Sequence, residues 1–283
     1  MADQDPTDPR AFYDEYGERE WHRLDRDFYH RLEWEATIER LDANLPTPGP
    51  STRVLDVGGG GGRYSIWLAD RGYDVVLAEP SEGQRDLARE KIADYGVSDR
   101  VDIHAGDLRT LGYRDDAFDA TCCLGGPLSH VVDGDRRLAA AEELRRVTAP
   151  GGPVFVSVMG LLGMVLLSVQ EAGEEGNADA LPAVPDLVAD PDYTAEFRRQ
   201  HPSAPRMADT HFFRHREFVD LLDRAGLAVR EVAGLEGVAS PRGPDPDLLD
   251  DAAKDAIRDV NDRLRTDPTL ADLSLHMLAT CRA

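Results

Sequence analysis

Residues Val54–Ser65 read VLDVGGGGGRYS. Five consecutive glycines stand between a short apolar run and the start of a helical pattern. A glycine inside a regular element costs roughly 0.5–1 kcal/mol relative to alanine. Five together mean either a flexible linker or a place where something must approach the backbone more closely than a Cβ allows. The surrounding strand and helix pattern argues for the second. TRVLDVG reads as a strand, RYSIWLADRG as a helix closed by Gly72, and YDVVLAEP as a second strand. Ser81, with Gln84 three residues on, predicts a capping box that opens the helix EGQRDLAREKIADYG.

The alternation continues outward. RVDIHAGD and FDATCCLGG read as a third and fourth strand. GDRRLAAAEELRRV is a helix ended by Pro150-Gly151-Gly152, and PVFVSVMG is a fifth strand. HREFVDLLDRAG predicts a helix, LAVREVAGLEG a strand, PDLLDDAAKDAIRDVNDRLRTDP a helix, and LADLSLHMLATCRA a final strand. Strands and helices alternating at this spacing predict βαβ units and a doubly wound parallel sheet. Residues 1–50 read as helical, with Trp21, Leu24, Phe28, Leu32, Ala36 and Leu41 near helical spacing, and PTPGPS ends them. Residues 171–210 break the rhythm. They are rich in acids, Pro and Ala, and read as an irregular cap.

Composition narrows the setting. The chain of 283 residues carries 54 Asp plus Glu against 32 Lys plus Arg, a formal charge of −22. Lys91 and Lys254 are its only lysines. The acids run along the whole length instead of forming a tail, which suits a surface kept soluble at high salt and points to a halophilic, archaeal or bacterial, source. So acidic a surface argues against nonspecific nucleic-acid binding. Cys122, Cys123 and Cys281 show no metal spacing and are odd in number, so reduced thiols in a cytoplasm are expected and no metal is implied. The N-terminus has neither a basic start nor an apolar core. Val154–Val169 is the most apolar stretch. It is shorter than the ~20 residues of a membrane helix and is interrupted by two glycines, so a buried strand and helix are expected.

In an open parallel sheet, ligands bind beyond the carboxyl ends of the strands at the point where strand order reverses. The glycine run lies at such an end. A dinucleotide fingerprint would need G-x-G-x-x-G or a final Ala. Counting from Gly58 the last position is Arg63, and from Gly59 it is Tyr64. The spacing present is G-x-G-x-G, through Gly58, Gly60 and Gly62, preceded by Asp56.

VLDVGGGGG resembles the first motif of class I S-adenosylmethionine-dependent methyltransferases. Further landmarks follow in order: Glu79 at the end of the second strand, Asp107 in AGDLRTL after the third, FDATCCLGGPLSHV at the fourth, and LRRVTAPGGPVFVSV at the turn into the fifth. The resemblance covers Val54–Val158 and extends to the last helix and strand. GGPLSHV is similar to the G-P-L-Y-H variant of a group of small bacterial and archaeal methyltransferases, with Ser129 where many of these have Tyr. THFFRHREFVDLL resembles a later motif of the same group.

The resemblance implies a Rossmann-like, seven-stranded, mostly parallel sheet with an antiparallel last strand. It implies an N-terminal helical lid (1–50) on a methyltransferase domain (51–283) that carries a cap insertion at about 171–213. It implies S-adenosylmethionine as cofactor, with Glu79 on the ribose hydroxyls and Asp107 on the adenine. Pro80, Leu108, Leu124 and Gly125 complete the cofactor residues with Asp56, Gly58, Gly60 and Gly62. Asp56 is expected to orient the glycine loop. His130 is the acid–base candidate; Ser129, His130 and His211 are candidates for contact with the methyl acceptor. Tyr13, Trp21, Tyr29 and Arg31 either close over the cofactor or form core. The expected partner is a small-molecule acceptor, with no membrane, and the oligomeric state stays open. A tRNA methyltransferase, a catalytically inactive cofactor-binding or regulatory protein, and an NAD-dependent oxidoreductase are the competing readings. A basic stripe with interleaved aromatics is missing for the first, and the third small residue is missing for the last.

Overall fold

The computed structural model describes residues 7–49, 51–172, 178–240 and 248–283. The chain opens with three helices, α1 (Pro9–Tyr16), α2 (Glu18–His22) and α3 (Phe28–Asn44). Asp8 caps α1 by accepting from the Ala11 N–H, with Pro9 at the first helical position, and Asp27 caps α3 through the His30 N–H. Both fit the usual helix start, in which a short acidic side chain satisfies an orphan donor.

The expected alternation then appears. It runs β1 (Arg53–Val57), α4 (Arg63–Asp70), β2 (Asp74–Glu79), α5 (Glu82–Asp94), β3 (Val101–Ala105), β4 (Ala120–Cys123), α6 (Gly134–Val147) and β5 (Pro153–Met159). After β5 come α7 (Leu161–Glu171), α8 (Val184–Ala189), β6 (Asp192–Tyr193), α9 (Ala195–Gln200), β7 (Thr210–His211), α10 (His215–Arg224), β8 (Ala228–Gly234), α11 (Asp251–Leu264), α12 (Pro268–Leu273) and β9 (His276–Arg282).

Seven strands form one sheet in the order β3-β2-β1-β4-β5-β9-β8. β1 pairs in parallel with both β2 and β4, and β9 runs antiparallel to β5 and to β8. Strand order therefore reverses at β1/β4, and the loops leaving those two strands diverge and open a crevice. Helices cover both faces. Adjacent Cys122 and Cys123 show this directly: they point to opposite faces, and each is fully buried in a different apolar cluster.

Three local readings differ from expectation. The Ser81 hydroxyl does accept from the Gln84 N–H, but the Gln84 amide donates instead to the carbonyls of Tyr13 and Gly17. The Ser81 N–H goes to Glu79 Oε1 instead of Gln84, so half of the predicted capping box is missing and its glutamine ties α5 to the end of α1. The final strand begins at His276 rather than near Leu270. Asp267 accepts from the Thr269 and Leu270 N–H groups and Pro268 takes the first position, so α12 starts where the sequence reading ended a helix. Residues 246–247 of that reading lie outside the described residues. The described residues of the stretch at 171–210, 171–172 and 178–210, are not irregular: β6 and β7 form a two-stranded sheet, and Leu187, Tyr193, Phe197 and Phe212 share an apolar cluster with Leu161, while 173–177 lie outside the described residues. Its helices have six residues and its strands two, too short for periodicity to register.

The apolar stretch Val154–Val169 divides, as expected, into β5 and α7. Its glycines are steric necessities. A Cβ at Gly160 would lie 2.2 Å from the Ser274 carbonyl oxygen, and one at Gly163 would lie 2.5 Å from the Leu275 backbone. No helix among the described residues is long and apolar enough to cross a membrane.

Candidate functional site

A cavity opens at the β1/β4 reversal. Its floor is the backbone of Gly58–Gly61, its far end is Glu79, Pro80, Asp107 and Leu108, and its near wall is Leu124, Gly125, Pro127 and His130. α1, α2 and the turn after α2 supply the roof, with Arg10 and Tyr13, Glu20 and Trp21, and Arg23 respectively.

The glycine loop is shaped by two steric demands. Gly58 sits at φ +68°, donates its N–H to the Ala78 carbonyl at 2.7 Å, and would drive a Cβ to 2.5 Å from Pro127 Cγ. A Cβ at Gly59 would meet Asp56 Oδ2 at 2.7 Å. Asp56 thus lies beneath the loop, fully buried, and accepts from Ser65 Oγ at 2.7 Å, while its Oδ1 has no partner. Burial pushes its pKa up to about 6. Gly62, at φ +85°, caps α4 and packs against Leu77, Ala88 and Ile92. Neither Asp56 nor Gly62 lines the cavity. They hold the loop from behind.

Glu79 reaches the cavity from the end of β2. Its Oε2 accepts from the Gly60 N–H at 3.0 Å and its Oε1 from the Ser81 N–H at 2.8 Å. Burial nevertheless outweighs these donors and raises its pKa to about 7. Each oxygen accepts one such bond, which leaves acceptor capacity for a diol. Asp107 also lines the cavity, held by Arg109: its Oδ1 accepts from the Arg109 N–H at 2.9 Å and Nε at 2.8 Å. That pairing lowers its pKa.

His130 lies in the turn after β4. Its Nδ1 is 2.8 Å from the Asp209 carbonyl, which can only accept, so Nδ1 carries the proton. Nε2 therefore accepts from the Tyr13 hydroxyl at 3.0 Å. Burial lowers the His130 pKa and keeps the ring neutral near pH 7. The segment leading into β7 supplies the Asp209 carbonyl and α1 the Tyr13 hydroxyl, so this histidine joins three parts of the chain.

Ser129 and His211 are placed elsewhere. The buried Ser129 hydroxyl accepts the Met159 N–H at 2.9 Å and ties the turn to β5. His211 is buried between Asp192 (2.5 Å) and Glu217 (2.7 Å), joining β6–β7 to α10. Of the four N-terminal residues singled out in the sequence, Tyr13 and Trp21 line the cavity. Tyr29 is core, and Arg31 pairs with Asp25 on the surface. Sequence reasoning missed Arg23, Arg63, Tyr64, Gln84 and Arg109 as lining residues. Only the placement of α1–α3 across the loop reveals the first two.

The geometry fits the adenosyl cofactor. A glycine floor with no room for a Cβ at Gly58 or Gly59, a buried carboxylate with acceptor capacity for a diol, and an acid beyond β3 match its parts. Comparison with known proteins agrees. A family model described as a methyltransferase domain matches residues 54–152. Methyltransferase GfsG of Streptomyces halstedii is 34% identical over 141 residues, 48% of this chain and 48% of that protein. The ubiquinone/menaquinone biosynthesis C-methyltransferase UbiE of Teredinibacter turnerae is 33% identical over 181 residues, 61% of this chain and 68% of that protein. The chain thus spans about half the length of the first and about two thirds of the second. A solved S-adenosylmethionine-dependent methyltransferase of Methanosarcina mazei superposes with a TM-score of 0.57 at 17% identity, covering 86% of this chain and 96% of the other, which speaks for the fold. With this cavity at the carboxyl ends of β1, β2 and β4, the chain belongs to the S-adenosylmethionine-dependent methyltransferases, and S-adenosylmethionine is its cofactor.

Proposed function

We propose that the enzyme methylates a small-molecule acceptor by in-line displacement, with Glu79 on the ribose hydroxyls, Asp107 on the adenine and His130 as the proton acceptor. The observation that carries this reading is the neutral His130–Tyr13 pair facing the same cavity as the glycine floor and Glu79. When bound, the cofactor supplies an activated methyl group on a sulfonium, whose C–S bond breaks with its electron pair retained by sulfur. The remaining work is orientation and exclusion of water.

As the acceptor atom took the methyl group, His130 Nε2 would receive its proton and give up the bond from the Tyr13 hydroxyl. The Asp209 carbonyl fixes the tautomer and accepts from Nδ1 throughout, which stabilises the imidazolium that forms. We further assign residues 1–50 as a lid. Asp14 of α1 accepts from Ser81 Oγ at 2.5 Å and from the Gly83 N–H at 3.0 Å, so α1 is docked on the N-terminus of α5. Residues 1–6 and 50 of the lid, and 173–177 of the cap at 171–213, lie outside the described residues.

The charge of −22 supports work in a high-salt cytoplasm. There, raising KCl from roughly 0.1 M to above 1 M should raise the melting temperature, because a Debye length that shrinks from about 10 to about 3 Å screens the acid–acid repulsion. The deciding assay follows label from methyl-labelled cofactor, in concentrated KCl, into a small-molecule extract and into bulk tRNA. Label in the small-molecule fraction that His130→Ala lowers by about 10²-fold or more supports the reading. Label in tRNA alone replaces it with the RNA reading.

A further inference from the structure

A buried chain of charges runs from the roof of the cavity to the far strands of the sheet. Arg23 lines the cavity; its Nη1 and Nη2 donate to the two oxygens of Glu33 at 2.5 and 2.9 Å, and its Nε to Glu20 at 3.0 Å. Glu33, on α3, is 1% exposed, and its Oε2 lies 3.6 Å from Nδ1 of His276, the first residue of β9. His276 Nδ1 donates to Glu236 Oε1 at 2.5 Å. Glu236 Oε2 accepts from the Ser274 hydroxyl and from the His276 N–H, both at 2.9 Å. Burial alone would lower the His276 pKa, but Glu33 and Glu236 together hold it above the ordinary value. The signs alternate: Arg23 positive, Glu33 negative, His276 positive, Glu236 negative.

Glu33, Glu236 and His276 are of metal-binding type, with donor atoms within 4.8 Å of one another. Yet the Arg23 guanidinium occupies both Glu33 oxygens, and His276 Nδ1 is committed to Glu236. The cluster is a closed ion network. Such a network is a poor way to gain stability, since well-packed apolar residues of similar volume often do as well or better. What it fixes is the location of its end member. Three of the five guanidinium N–H donors are engaged, leaving one on each terminal nitrogen. Nη2 lies 3.8 Å from the position of a Cβ at Gly125, the corner where the chain leaves β4.

We propose that Glu33, His276 and Glu236 are positioning residues for cofactor binding. They hold Arg23 at the Gly125 corner, where its two remaining N–H groups take the carboxylate at the amino-acid end of the cofactor. The strands furthest along the chain would thereby set the geometry of a cation in the N-terminal roof. The inference rests on the cofactor reading above and is tested apart from it with two ligands, S-adenosylhomocysteine and 5′-methylthioadenosine, which lacks the amino-acid end.

Binding of both ligands is measured by calorimetry to the full-length wild type, His276→Gln and Arg23→Lys. Arg23→Lys keeps the charge of the network and removes the fork, so it serves where His276→Gln does not fold. The expected result is a tenfold or greater loss of S-adenosylhomocysteine affinity in either variant, with methylthioadenosine affinity changed less than twofold. An equal loss of both ligands would mean a merely structural role and overturn the proposal, as would no loss of either. A folded wild type that binds neither ligand would overturn the cofactor assignment on which the proposal rests.

Discussion

Cofactor affinity should rise with pH through neutrality, and Glu79 should be the cause. Its carboxyl is buried, with a pKa raised from 4.5 to about 7 against the pull of two backbone donors. The ribose hydroxyls donate, so they favour the ionised form, and the protein must release a proton to bind. For a single group of pKa about 7, the apparent Kd exceeds its limiting value by about elevenfold at pH 6 and by about 1.1-fold at pH 8. The expected change is therefore roughly tenfold, or about 1.4 kcal/mol, over those two pH units.

S-adenosylhomocysteine titrated at pH 6, 7 and 8 in two buffers of different ionisation enthalpy measures both the affinity and the proton release. About half a proton should leave at pH 7. Glu79→Gln should bind more weakly and lose the pH dependence. For the free protein the sign runs the other way. A raised carboxyl pKa contributes stability that is fully present below pH 4.5 and lost as pH rises through about 7, so cofactor and stability oppose each other here. Equal affinity at pH 6 and 8, or an unchanged slope in the Gln variant, would refute the reasoning.

Gly58→Ala should cost more than Gly96→Ala, although both sit at similar positive φ, +68° and +70°. The second has open space around it and should lose about 1–2 kcal/mol in a urea melt; the first adds the Pro127 clash and should also weaken cofactor binding. Asp56→Asn should gain on the wild type as pH rises from 4 to 8, by up to about 3 kcal/mol, because a buried carboxyl raised to about 6 loses its stabilising neutral form across that range. Urea midpoints of the pair at each pH measure it, and a constant difference would contradict the assignment. The thiols of Cys122, Cys123 and Cys281 are buried, with Cys123 and Cys281 pushed up to about 12, so none should react with an aromatic disulfide reagent at pH 8 until the protein unfolds.

What could be read from the sequence was whatever depends on residues near one another in the chain. The glycine run, the acid ending β2 and the apolar runs of β1–β5 are local signals, and the sheet follows from their alternation. The 3.6-residue pattern identified the N-terminal segment as helical but not where it folds back, so Arg23, Arg63 and Gln84 went unseen as cavity residues. Ser129 and His211 looked like site residues because they sit in the right motifs. Only tertiary placement shows that one hydroxyl is spent on the Met159 N–H and that one imidazole is held between Asp192 and Glu217. Gln84 is the same lesson in small: its spacing from Ser81 predicted a local bond, and the carbonyls of α1, more than sixty residues away, claimed it.

The order of strands in space, with β9 between β5 and β8, has a kinetic consequence. β8 precedes β9 in the chain yet pairs only with β9 in the sheet. β8 can join the sheet only through residues 276–282, either as a β8–β9 pair that docks on β5 together or by adding to β9 once it lies on β5. In either case the sheet cannot grow past its fifth strand until the last segment of the described fold arrives in reverse direction. Such a detour raises the sequence separation of the contacts that finish the fold, and pairings of that kind form slowly. It also makes the exposed flank of β5 the surface at which a second, half-folded molecule would compete for the same edge.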